Sequence, residues 1–184
     1  ELELCINQIK HFKNLTRNSK FIKIQGLKFY VDGALGSEGA LLSQPYQTKT
    51  ENGIQVFSED QIYQIIKTTW QNNLPVSIHA IGDKSNDIIS LQVKKLLGQK
   101  TTGEINIEHA EIVQEKTFKR WVKLSQISKN NNLNLKVNFH MQPSHWLSDK
   151  VFLKSKLGSL YRHVFPWAAI QKNNFNLFWG SDSP

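Results

Sequence analysis

The chain has 184 residues, 39% of them hydrophobic and 21% charged, and a formal net charge of +8 at pH 7. That length suits one ordinary hydrophobic core, and no apolar run approaches the ~20 residues a membrane-spanning helix needs. A single cysteine, Cys5, excludes an internal disulfide framework and a cysteine-rich zinc site, and it fits a cytoplasmic setting.

The opening stretch, ELELCINQIKHFKN, lacks the charged, apolar and small-residue regions of a secretory leader. It has the character of the middle of a helix, so the natural N-terminus is expected to lie further upstream. The positive charge is spread out, over Lys10, Lys13, Lys20 and Lys23, then Lys94, Lys95 and Lys100, then Lys116, Lys119 and Lys123. Most of these fall on polar helix faces, without an arginine cluster or interleaved aromatic residues. The pattern is that of a solvated surface rather than a nucleic-acid or membrane partner.

Residues 21–31, FIKIQGLKFYV, predict an extended segment. Residues 32–53 are rich in glycine and carry Pro45, which predicts a long loop of the kind that usually serves function. Ser58 with Gln61 forms a capping-box pattern, and Ile62, Ile65, Ile66, Thr69 and Trp70 recur at helical spacing, so 58–73 should be a helix. Residues 74–83, LPVSIHAIGD, predict a short buried strand, with Asp83 as the N-cap of the helix over 84–99. EINIEHAE (104–111) predicts the next strand, 114–129 a helix, and LNLKVNFHMQPSH (133–145) a strand and turn. Residues 149–173 predict a helix broken at Pro166, and FNLFWGSDSP (175–184) a last strand. Strands and helices thus alternate, which predicts an α/β fold with a parallel sheet. An open doubly wound sheet and part of a (β/α)8 barrel both fit, although no nucleotide-binding glycine loop follows any strand.

In parallel α/β folds chemistry gathers at the C-terminal strand ends. Lys28 lies near the end of the first predicted strand, His79 ends the second and His109 the third. His140 ends the fourth, with His145 in the turn beyond it, and Asp182 follows the fifth. A lone strand-end histidine is usually a hydrogen-bonded structural residue, and an aspartate after Gly-Ser is usually a turn residue. Parallel pairing brings these ends together, however, and imidazoles with a carboxylate are the donors that zinc and similar divalent ions prefer.

The blocks GLKFYVDGALGS, VSIHAIGD, INIEHAEIV, MQPSH and FWGSDSP, in that order, resemble the amidohydrolase superfamily. The nearest branch is amidohydrolase family 3, which includes N-substituted formamide deformylase-like enzymes. The resemblance runs from about Lys20 to Pro184. It implies a (β/α)8 TIM barrel, of which this chain supplies about strands four to eight with their helices. It also implies a centre of one or two divalent ions, expected to be zinc, held by His79, His109, Asp182 and, if carboxylated, Lys28.

By the same resemblance Asp182 is the catalytic proton acceptor, and His140 and His145 contact a small amide-type substrate. Family members open the barrel with a His-x-His strand, and this sequence contains no His-x-His. The 184 residues are therefore expected to be a single domain that is an incomplete barrel, without the N-terminal strands and the small β-domain. Such a piece would be inactive alone and prone to self-association through its exposed edges. Three other readings stand beside this one: a non-catalytic barrel fragment acting as scaffold or interaction module, a basic nucleic-acid-binding domain, and another metal-dependent barrel hydrolase such as a deaminase.

Overall fold

The computed structural model describes residues 1–182. Helix α1 (Leu2–Leu15) is followed by β1 (Leu27–Tyr30), α2 (Glu59–Gln71), β2 (Val76–Ala80), α3 (Asp83–Gly98), β3 (Glu104–His109), α4 (Glu115–Asn130) and β4 (Lys136–Met141). Helix α5 (Pro143–Leu157) then runs into a 3₁₀ turn (Gly158–His163), and α6 (Trp167–Lys172) and β5 (Asn176–Trp179) close the described chain.

All four strand pairings are parallel, and the spatial order is β1-β2-β3-β4-β5. A doubly wound sheet reverses its strand order at a switch point. This sheet never reverses, so each helical crossover advances the sheet by one strand, as in a TIM barrel. The fold is that of a partial barrel, in agreement with the sequence.

The two sheet faces differ. Val76, Ile78, Ile105, Ile107, Val137, Phe139 and Met141 are buried and join the core formed with α2, α3 and α4. The other face carries two register rows. One row is Lys28, Ser77, Asn106, Asn138 and Asn176; the next is Tyr30, His79, Glu108, His140 and Phe178. In the first row Asn176 Nδ2 donates to Asn138 Oδ1 (2.8 Å), Asn138 Nδ2 to Asn106 Oδ1 (2.8 Å), and Asn106 Nδ2 to Ser77 Oγ (3.1 Å). A one-way amide ladder therefore crosses four strands.

Helix α2 starts as its sequence demands. Ser58 Oγ accepts from Gln61 N and the Gln61 side chain accepts from Ser58 N, a complete capping box. Four local expectations need correction. The first strand covers only Leu27–Tyr30, because pairing begins where Leu27 N meets Pro75 O, while Phe21 and Ile22 upstream are exposed and unpaired with the sheet. Asp83 is the first residue of α3 and Gly82 the N-cap; the Asp83 carboxylate instead accepts from Ser43 N (2.9 Å) and the Gln114 side chain. The segment after β4 is already helical from Pro143, whose ring suits the first helical turn, where its missing N–H is not needed. Before the break at Pro166, α5 gives way to the 3₁₀ turn at Gly158, where φ is +53°.

The loop from Val31 to Phe57 packs over the C-terminal end of the sheet, with Leu35, Leu41, Leu42 and Tyr46 buried. Asp32 is its anchor. This buried carboxylate accepts from Ile81 N (3.0 Å), Gly82 N (2.8 Å), Leu41 N (3.0 Å) and Ser85 Oγ (2.8 Å). Leu41 and the β2–α3 turn are drawn so close that a Cβ on Gly82 would lie 1.9 Å from Leu41 O.

Candidate metal centre

The strand ends bring three imidazoles together. His79, the penultimate residue of β2, lies in the inner register row, and its Nε2 is buried with no hydrogen-bond partner among the described residues. The nearest carboxylate oxygen to Nε2 is Asp32 Oδ1 at 3.7 Å.

His109 ends β3 on an unusual backbone. Its φ is +74° and that of Ala110 is +46°, and Ala110 N bonds back to Glu108 O at 3.0 Å. This is a γ-turn centred on a non-glycine residue, a strained arrangement of the kind that persists where a site requires it. Strict alternation would send His109 outward with Ile105 and Ile107. The turn instead sets its ring 4.5 Å from that of His79. His109 Nδ1 pairs with Gln142 Oε1 at 2.9 Å, so with the amide oxygen accepting, Nδ1 carries the proton and Nε2 keeps its lone pair.

His145, in the first turn of α5, stacks on His109 with ring centroids 5.6 Å apart and planes at 11°. Its Nδ1 lies 2.9 Å from Glu111 Oε1. Glu111 is buried, and its Oε2 has no partner among the described residues. One ligand atom from each of His109, Glu111 and His145 can be chosen so that all lie within 4.8 Å of one another.

The electrostatics follow from burial. Burial holds His79 below the usual imidazole range, and burial together with His79 lowers His109 to about 4. Both rings are neutral near pH 7, the form in which imidazole binds cations. Hydrogen bonding to Glu111 raises His145, and burial raises Glu111. Asp182, exposed and at φ +59°, is close enough for its charge to act on all three histidines.

Two residues singled out in the sequence lie aside from this cluster. Lys28 sits one register row below His79, and its ammonium lies 5.4 Å from the centroid of the Tyr30 ring. His140 packs on Phe178, with centroids 4.9 Å apart, and its Nδ1 is 3.7 Å from Glu108 Oε2. Sequence reasoning gave no role to Glu111. Its position two residues after His109, where a strand opens into a loop, was the available signal.

The amidohydrolase family model matches residues 5–184. The chain belongs to the amidohydrolase family. Its amidohydrolase fold is also seen in an uncharacterized metal-dependent hydrolase of Pyrococcus furiosus, which is 26% identical with a TM-score of 0.74 over 97% of this chain and 36% of that one. The counterpart from Pyrococcus horikoshii is 25% identical, with a TM-score of 0.72 over 97% of this chain and 34% of that one. Among curated proteins, LONG AFTER FAR-RED 3 of Arabidopsis thaliana is 28% identical over 171 residues, 90% of this chain and 27% of that protein. This amidohydrolase chain therefore spans about a third or less of the length of these relatives. Among the described residues no helix is long and apolar enough to cross a membrane.

Proposed function

We propose that this chain forms part of the active site of a metal-dependent hydrolase that cleaves a non-peptide, amide-type C–N bond in a small molecule. The observation that carries this reading is the meeting of two neutral, buried imidazoles at adjacent strand ends, with Asp182 in electrostatic reach of both. Family membership and the two archaeal metal-dependent hydrolases of the same fold support it.

The donors suit a divalent ion. His79 Nε2 is buried without a hydrogen-bond partner among the described residues, and His109, with its Nδ1 committed to Gln142, keeps a lone pair on Nε2. His79, His109 and Asp182 would hold the ion, expected to be zinc, and a carboxylated Lys28 would bridge to a second. When bound, such an ion polarises a carbonyl and lowers the pKa of water towards ~7.

The remaining chemistry belongs to the chain. The Asp182 carboxylate takes the proton of the attacking water and returns it to the leaving nitrogen, as base and then acid. His145, raised by Glu111, can donate a hydrogen bond to the developing oxyanion. His140, beside Phe178, faces the substrate from the inner row. Without a His-x-His pair, this chain alone is expected to turn over no substrate. The two open sheet edges, and exposed Tyr30, Phe178 and Trp179, favour association with another chain, which size-exclusion chromatography tests. Those same residues are what the alternative, a non-catalytic interaction module, rests on.

The test is Asp182→Asn in the full natural polypeptide. Metal content should persist while kcat falls by a factor on the order of 100 to 10,000. Unchanged turnover removes the role given to Asp182.

A further inference from the structure

We propose that Glu111 and His145 are themselves cation ligands, completing with His109 a seat beside His79 and Asp182. The inference rests on the metal-dependent reading above and adds two residues to it. Three observations carry it.

The first is distance. The chosen ligand atoms of His109, Glu111 and His145 lie within 4.8 Å of one another. Nitrogen and oxygen donors around a tetrahedral ion, at about 2.0–2.2 Å from it, stand roughly 3.4 Å apart. Small side-chain rotations close that difference.

The second is the unmet demand of Glu111. Its side chain is 2% exposed, and Oε2 meets no donor among the described residues. A buried carboxylate oxygen without a partner is costly. A simple ion pair with His145 occupies only Oε1 and leaves this cost standing, whereas a cation at Oε2 offsets it.

The third is ring orientation. His109 commits Nδ1 to Gln142 Oε1 at 2.9 Å and so presents Nε2, while His145 Nδ1 and Glu111 Oε1 face each other at 2.9 Å, a donor pair that one cation can bridge in place of the shared proton. The two rings are stacked with planes at 11°, which holds the two histidines side by side at the site. The supporting backbone is well tied. Ile112 N bonds Ile81 O (3.0 Å) and Phe165 N bonds Glu111 O (2.6 Å), while His145 N bonds Gln142 O (3.1 Å). Two imidazoles and a carboxylate suit a borderline-soft divalent ion of the zinc class rather than calcium or magnesium.

The test uses the full natural polypeptide, stripped with chelator and titrated with Co²⁺ alone. The readouts are visible absorption and affinity against a competing chelator. Glu111→Gln and His145→Asn should each weaken Co²⁺ binding by about tenfold or more and alter the visible band. Affinities within about twofold of the parent, with an unchanged band, overturn the inference. A His79→Ala variant separates the two claims. Binding lost in His79→Ala but intact in the Glu111 and His145 variants leaves the metal centre standing and removes only these ligands. A parent protein that takes up no Co²⁺ removes both. Circular dichroism verifies folding, and if Glu111→Gln does not fold, the half-buried His145 position decides the outcome by the same criteria.

Discussion

Asp32 offers a direct test of how the mouth loop is held. Replacing it by alanine strands three buried amides, those of Leu41, Ile81 and Gly82, and frees the Ser85 hydroxyl. Each stranded buried donor costs about 1–3 kcal/mol. Water entering the vacated space favours the low end, so roughly 4 kcal/mol is expected. Asparagine behaves differently. Its oxygen, placed where Oδ2 now lies, keeps the bonds from Leu41, Gly82 and Ser85, while its NH₂ group confronts the Ile81 amide. That conflict costs about 2–3 kcal/mol. Against it stands a gain. Burial pushes the Asp32 carboxyl up from 3.8 to about 6, so its ionised form carries a penalty of roughly 3 kcal/mol that a neutral amide avoids. Alanine escapes that penalty too, so the ranking rests on the stranded amides: Asp32→Asn should lie within about 1–2 kcal/mol of the parent and Asp32→Ala about 1–2 kcal/mol below the asparagine variant, as read from urea midpoints at unchanged m-value. An alanine variant as stable as the parent, or an asparagine variant weaker than the alanine one, refutes the hub.

Two further outcomes follow from the same loop. Gly82→Ala drives a Cβ into Leu41 O, which only a backbone shift can relieve, so the 31–57 loop should become sensitive to protease while the α2–α4 layer stays protected; an unchanged digestion pattern contradicts this. Tyr46 donates its buried hydroxyl to Ala40 O at 2.8 Å, and burial holds its phenol above the ordinary value of 10.0. The stability this lends is present in full below pH 10 and is lost as pH rises through the folded value. Of the four tyrosines, one should ionise only on alkaline unfolding, and Tyr46→Phe should remove that late step in an absorbance titration.

The sequence made the alternation of strands and helices legible because α2, α3 and α4 carry their buried apolar residues at helical spacing and the strands between them are short. Ile62, Ile66 and Trp70 are buried as their spacing requires. The strand-end histidines were legible for the same reason, since parallel order alone puts His79 and His109 side by side. What stayed hidden depends on backbone geometry and long-range partners. The γ-turn at His109 has no glycine to announce it. The Asp32 hub joins residues up to 53 positions apart. Glu111 read as an ordinary acidic residue in a loop, because burial of its carboxylate against His145 is a tertiary fact. Lys28 and His140 were assigned by strand-end position, and the register places Lys28 one row deeper and His140 against Phe178.

The sequential strand order has a consequence for how the chain forms. Among the described strands every sheet contact joins a strand to its immediate successor, so none of these pairings waits for a distant segment. Loop-closure entropy is met in four similar, modest instalments rather than one large one. During synthesis the sheet can grow by one crossover at a time. His79 and His109 are already neighbours once β3 has docked, before the residues of β4 and β5 have been made.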